Sequence, residues 1–233
     1  EVARGLAYVH SQGELHCDLK PENVLLAKET VPDGTSTWVA KVADFGAQED
    51  KAETQQVGTT TRSDGAGSGS VTAATWLGTY LWMAPEATGL NAEKGYPKGY
   101  ICRDPKKKTF GATDWFSFGI TVWEMVAREL PHKGLDLQEG QIKSMWVSKD
   151  GKEIRNAVRG SEPEPGGIWT QDFRSVAAFY YNGRRPAIPD SCPTLLARLM
   201  EACWANGQTV RPSSAFIKRL ADEIEPERWL KTP

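Results

Sequence analysis

Two carboxylates, one carboxamide and one ammonium lie at short intervals near the start of the chain. Asp18, Lys20 and Asn23 stand in His16-Cys17-Asp18-Leu19-Lys20-Pro21-Glu22-Asn23, and Asp44 in Ala43-Asp44-Phe45-Gly46. Hard oxygen donors suit a divalent cation, an ammonium beside them suits a phosphate, and a carboxylate can take the proton of an incoming hydroxyl. The chemistry such a set is equipped for is phosphoryl transfer from a magnesium-bound triphosphate, where charge crowds around the reacting phosphorus and must be neutralised.

These residues need elements that bring them together. From Val2 to about Gln12 the apolar positions recur at helical intervals, and Gly13 is placed to stop the helix ahead of His16. Val24-Leu25-Leu26 and Trp38-Val39-Ala40-Lys41-Val42 are strand-like runs separated by the turn signal Pro32-Asp33-Gly34, so they read as a hairpin. Asp18 and Asn23 come just before that hairpin and Asp44 just after it. Because a hairpin brings its ends together, residues far apart in sequence can share one cation.

The bulk numbers set bounds on the rest. With 233 residues, 39% of them hydrophobic and 25% charged, the chain has the composition of an ordinary soluble globular protein with one substantial core. A formal charge of −2 offers no field of one sign for nucleic acid or an anionic membrane. Cys17, Cys102, Cys192 and Cys203 lie too far apart for a zinc motif and too sparsely for a disulfide framework, so reduced thiols in a cytoplasmic setting are expected. The longest apolar stretch, Trp115 to Ala127, is broken by Ser117 and Glu124 and falls short of the roughly 20 residues that span a bilayer.

Residues 47–75 are rich in Ser, Thr, Gly, Gln and Asp, a composition that cannot bury enough apolar surface to offset ordering entropy, and they read as a flexible loop. Residues 91–109, with Lys106-Lys107-Lys108, and 134–172 read as loop insertions. Asp114 to Val126 carries large apolar residues on nearly every face, the pattern of a helix buried all round. Leu195, Leu196, Leu199, Met200 and Cys203 mark an amphipathic helix. Pro212 suits the first turn of a last one, continued by Phe216, Leu220 and Ile224. The first residues already show helical spacing, so the chain reads as beginning inside an element.

Four motifs in register carry a family resemblance: His16-Cys17-Asp18-Leu19-Lys20-Pro21-Glu22-Asn23, Asp44-Phe45-Gly46, Ala84-Pro85-Glu86 and Asp114-Trp115-Phe116-Ser117-Phe118-Gly119, the last with Phe116 where an Asp-x-Trp-x-x-Gly pattern has tryptophan. In this order they resemble the catalytic loop, Asp-Phe-Gly motif, Ala-Pro-Glu motif and buried helix of the eukaryotic protein kinases. The resemblance runs from Glu1 to about Ile224. It implies an α+β chain: the mainly α-helical C-terminal lobe of that fold, with a small hairpin at the catalytic loop, an activation segment over 47–78 and a tail over 225–233. Trp82-Met83-Ala84-Pro85-Glu86, Arg184-Arg185-Pro186-Ala187-Ile188-Pro189, Cys203-Trp204 and Arg211-Pro212 resemble the tyrosine-kinase-like group, whose members are mostly serine/threonine kinases.

The resemblance implies ATP and Mg²⁺ as cofactors and proteins as substrates, with no nucleic acid. Asp18 matches the catalytic aspartate, Lys20 the residue against the transferring phosphoryl group, and Asn23 and Asp44 the magnesium ligands. Leu25 would lie beneath the adenine. Lysine two residues after the aspartate is the serine/threonine form of this loop, and Thr79 matches the threonine of the substrate loop that contacts Asp18 and Lys20. Glu86 and Arg211 match a buried ion pair that pins the substrate loop, Asp114 would accept hydrogen bonds from the catalytic-loop backbone, and His16 and Phe45 would stack in an apolar column.

Two departures follow. Cys17 stands where most kinases have an arginine that grips a phosphate in the activation loop, so phosphorylation at Thr72 or Thr75 is not expected to act through that clamp. The family's N-terminal β lobe, with its glycine-rich loop and strand lysine, is not found in the 233 residues. Gly65-x-Gly67-x-Gly69 sits after Asp44-Phe45-Gly46 in a polar stretch and does not replace it. The expectation is therefore a truncated portion of a serine/threonine kinase, inactive by itself; the alternative is a catalytically inactive kinase-like binding module.

Overall fold

The computed structural model describes residues 1–30, 34–44, 79–87, 101–131, 144–147, 153–154, 168–171 and 173–223. Helix α1 (Val2–Ser11) presents Val2, Leu6, Ala7, Val9 and His10 to the interior. It ends at Gln12, and Gly13 follows with a φ of 82°, a left-handed turn that costs a glycine nothing. The chain then runs extended through His16 to the short 3₁₀ turn Pro21–Asn23.

Strands β1 (Val24–Thr30) and β2 (Ser36–Val42) pair antiparallel, Val24 opposite Val42 and Thr30 opposite Ser36. Alternation splits the hairpin into two faces. Val24, Ala40 and Val42 pack on the core, while Leu25, paired with Lys41, lies on the opposite face and is 55% exposed. Both strands extend beyond the apolar runs that signalled them. Pro32 and Asp33 lie outside the described residues; Gly34 has a φ of 84°.

Helix α2 (Ala112–Ala127) is buried from Ala112 through Trp123, and the polar residues among them are satisfied within the fold. Thr121 donates to the Ser117 carbonyl at 2.8 Å and the Trp123 indole donates to the Ala187 carbonyl at 2.7 Å. Burial does not continue to the C-terminal turn: Met125 is about half exposed. Around this axle stand α3 (Phe173–Tyr181), α4 (Thr194–Cys203) and α5 (Ser214–Glu223), with α4 against α2 and α5 against α1. The central cluster includes Leu6, Leu19, Trp82, Trp115, Phe116, Ile120, Val176, Tyr180, Met200, Cys203 and Ile217.

Three details differ from the sequence expectations. The last helix starts at Ser214, two residues after Pro212, because Ser213 caps it: its carbonyl accepts from Ile217 N–H at 3.0 Å and its Oγ from Phe216 N–H at 3.3 Å. Ile217 is the residue buried on that helix, and Phe216 is half exposed; Ile224 lies outside the described residues. Within 134–172, read as a loop insertion, β3 (Ser144–Val147), β4 (Glu153–Ile154) and β5 (Ile168–Gln171) form an antiparallel sheet in the order β4-β3-β5. Its strands have two to four residues, too few for alternation to stand out from the glycine- and proline-rich sequence around them. The class is α+β.

Lys106, Lys107 and Lys108 are exposed, on turns in which Asp104 accepts from the amides of Lys106 and Lys107 at 3.0 Å. Residues 47–78, 91–100 and 225–233 lie outside the described residues. Among the described residues no helix is long and apolar enough to cross a membrane.

Candidate active site

The segment His16–Asp18 is held from below by α2. Asp114, in the first turn of that helix and fully buried, takes the His16 amide on Oδ2 at 2.8 Å and the Cys17 amide on Oδ1 at 2.7 Å. Its other partner is His10, whose Nε2 lies 2.8 Å from Oδ2. Burial alone would push the carboxyl up, but the hydrogen bond from His10, joined by those from the two amides, outweighs it and holds Asp114 below the usual carboxylate range. The clamp fixes a backbone that would not hold itself: Cys17 has a φ of 58°, a left-handed conformation costly for a residue with a side chain.

Above the clamp, His16 is fully buried and its Nε2 meets the Ala43 carbonyl at 2.8 Å, while its Nδ1 accepts from the Asp18 amide at 3.3 Å. One imidazole therefore ties the loop that carries Asp18 to the end of β2. The side chain of Asp18 is then met by two groups. Asn23 Nδ2 donates to the Asp18 carbonyl at 2.7 Å and lies 3.4 Å from Oδ2, and Lys20 Nζ is 3.4 Å from the same oxygen. Oδ1 of Asp18 is buried and makes no hydrogen bond among the described residues. A buried oxygen left without a donor costs on the order of 1–3 kcal/mol, which an incoming hydrogen-bond donor would relieve.

The hairpin closes the set. Ala43 N–H donates to the Asn23 carbonyl at 2.9 Å, so Asp44, the next residue, follows directly from a backbone bonded to Asn23. Asp44 is exposed and has a φ of 57°, a second non-glycine residue in the left-handed region. With the Asn23 nitrogen turned to Asp18, its carboxamide oxygen is the atom left for a cation. Among the described residues no three of His, Cys, Asp or Glu converge as a metal cage. One carboxylate and one amide oxygen instead suit Mg²⁺, which is held through few protein oxygens and fills its shell from phosphates and water. Leu25, one residue past Val24, is an exposed apolar residue of β1, as is Leu26. Phe45 lies outside the described residues.

Cys17 carries no cationic group. It packs with Ile101 against the small cluster of Leu15, Cys102 and Phe110. Burial, then Asp114 and Asp18 against the opposing charge of Arg103, leave the thiol pushed up to about 12. All four cysteines are free.

Thr79 opens a short 3₁₀ turn, Thr79–Leu81, and its side chain is not among those described. The residues after it are anchored three times. Tyr180 Oη donates to the Leu81 carbonyl at 2.6 Å, the Trp82 indole donates to Glu124 Oε2 at 2.7 Å, and Glu86 pairs with Arg211. That pair is bidentate: Nη1 meets Oε1 and Nη2 meets Oε2 at 3.0 Å. Arg211 also donates to the carbonyls of Ala112 at 3.0 Å and Ala205 at 2.8 Å, with its guanidinium over Phe116. Arg185 stacks on the same ring and donates to the Trp204 carbonyl at 2.7 Å; burial pulls it down to about 10.

His10, Glu124 and Tyr180 are members of this framework that motif reading did not single out. His10 sits at a helical apolar position next to Val9, and its burial was visible in that spacing; its polar partners were not.

The protein kinase domain model matches residues 1–224. The chain is 27% identical to the serine/threonine/tyrosine-protein kinase HT1 of Arabidopsis thaliana over 225 residues, which covers 97% of this chain and 38% of that protein. It is 25% identical to mitogen-activated protein kinase kinase kinase 11 of Homo sapiens over 240 residues, covering all of this chain and 20% of that protein. The serine/threonine-protein kinase STY46 of Arabidopsis thaliana is 27% identical over 227 residues, or 97% of the chain and 26% of its own length. The chain thus spans well under half the length of the curated relatives it matches. Motif order, the Asp114 clamp and these comparisons agree, and the chain belongs to the protein kinase family.

Proposed function

We propose that the protein transfers the γ-phosphoryl group of ATP to serine and threonine hydroxyls of protein substrates, and that the residues described here form the C-terminal lobe of its kinase domain. The observation that carries this reading is the Asp18 carboxylate: one oxygen is ion-paired with Lys20 and accepts from Asn23, and the other is buried with no hydrogen-bond donor among the described residues. Such a carboxylate is set to receive a hydroxyl.

In the proposed mechanism Asp18 orients the substrate hydroxyl through Oδ1 and takes its proton as the bond to the γ-phosphorus forms and the bond from that phosphorus to the ADP oxygen breaks, ADP being the leaving group. Lys20 neutralises charge on the transferring group, an effect strongest where water is excluded. Asn23 and Asp44 would hold Mg²⁺, Leu25 would support the adenine, and Thr79 would contact Asp18 and Lys20 from the substrate loop. Bound Mg²⁺ supplies charge stabilisation on the phosphate oxygens. Lysine at position 20 and threonine at 79 support serine and threonine as acceptors.

The test is Asp18→Asn in the full-length gene product. That change preserves volume while removing the base. Phosphate incorporation from labelled ATP into a generic protein substrate is expected to fall by roughly 10²–10⁴-fold with an unaltered circular dichroism melt. Wild-type rates in the variant would overturn the assignment.

A further inference from the structure

Between α1, α2 and α5, away from the phosphate-handling residues, lies a partly buried chain of hydrogen bonds whose direction can be worked out. His10 Nδ1 is 2.6 Å from Ser214 Oγ, His10 Nε2 is 2.8 Å from Asp114 Oδ2, and the Trp115 indole nitrogen is 3.1 Å from the same Ser214 Oγ. An ionised carboxylate only accepts, so Nε2 carries a proton. An indole nitrogen only donates, so Ser214 Oγ accepts from Trp115, and the hydroxyl proton is left for Nδ1 of a neutral imidazole. With a neutral imidazole the chain runs one way, from Trp115 through Ser214 and His10 to Asp114, and admits one tautomer.

The imidazole has little room to turn. Phe110 and Trp115 meet it edge-on at centroid distances of 5.8 and 5.4 Å. Gly111 passes so close that a Cβ there would sit 2.5 Å from His10 Cε1 and Nδ1. At the far end Asp114 grips the amides of His16 and Cys17, the second held in a left-handed conformation that persists only when its surroundings over-determine it. Asp18 is the next residue.

We propose that Ser214, acting through His10, is a positioning residue for phosphoryl transfer. Its hydroxyl fixes the tautomer and orientation of His10, which sets the plane of the Asp114 carboxylate and so the placement of Asp18. The last helix, more than 190 residues away in sequence, thereby helps to hold the catalytic loop. This inference rests on the kinase reading above.

The experiment uses the full-length protein with Ser214→Ala, Ser214→Val and Ser214→Thr. Alanine and valine remove the hydroxyl with opposite changes of volume, and threonine keeps it. Alanine and valine are expected to lower kcat on the order of tenfold, the scale of a small displacement of a reacting group, with KM for ATP and for substrate unchanged; threonine restores kcat. Nitrogen-15 shifts of His10 report the second readout: Nδ1 unprotonated and Nε2 protonated at neutral pH in the wild type, and mixed tautomers in the alanine variant. Unimpaired kcat in Ser214→Ala with normal wild-type transfer would overturn the positioning role alone, as would a wild-type His10 protonated on Nδ1. A wild type that transfers no phosphate would overturn the kinase reading and the positioning role together.

Discussion

The Trp82 indole donates a 2.7 Å hydrogen bond to Glu124, joining the residues after Thr79 to the last turn of α2. The partner is a carboxylate in an environment that does not favour charge. Burial pushes Glu124 up, Glu22 adds to it, and the Trp82 bond only partly opposes them. A carboxyl raised in the folded state binds its proton more tightly there than in the unfolded chain, so its contribution to stability falls as pH rises through the carboxylate range. Glu124→Gln keeps the acceptor and removes the charge. It is expected to melt no lower than wild type at neutral pH and to flatten the loss of stability between acid and neutral pH. Glu124→Ala leaves the indole N–H unpaired, at a cost of about 1–3 kcal/mol. Thermal melts across pH decide this; a glutamine variant as unstable as the alanine one would contradict it.

Arg211 and Glu86 form a pair whose members are almost wholly buried. Removing one strands the other's charge, so Arg211→Met is expected to cost roughly 3–5 kcal/mol in urea denaturation. Arg211→Lys keeps the charge but not the bidentate fork, and should recover only part of the loss. Full recovery by lysine would show that geometry contributes nothing.

Gly111 and Gly34 offer a matched comparison. Both have positive φ, 78° and 84°, yet a Cβ at Gly34 meets nothing within 4 Å while one at Gly111 runs into His10. Gly34→Ala is expected to cost about 1 kcal/mol for backbone strain alone, and Gly111→Ala at least twice that. Equal melting temperatures for the two variants would mean that His10 yields without cost.

The neutral, partly buried thiol of Cys17 cannot pair with a phosphate. Thr72→Ala/Thr75→Ala, at positions outside the described residues, is expected to leave activity of the full-length protein near wild type, and Cys17→Arg to create a dependence on loop phosphorylation. Phosphatase treatment before the kinase assay reads this. Loss of activity in the double alanine variant, with no added dependence in Cys17→Arg, would sink the idea.

The sequence by itself determined the parts whose information is local. Helix α1, its stop at Gly13, the β1–β2 hairpin and the buried run of α2 follow from side-chain spacing, because a period of 3.6 or 2 residues decides which face meets the core. The order of Asp18, Lys20, Asn23 and Asp44 was likewise readable. Only the tertiary structure decided which distant polar groups complete one another: His10 with Ser214, 204 residues apart, Arg211 with Glu86 and Tyr180 with Leu81. Each of these residues has several possible partners in sequence, and the choice is made only when packing removes water and leaves one donor facing one acceptor. The short strands between 144 and 171 escaped for the related reason that pairing between strands, rather than their own composition, holds them.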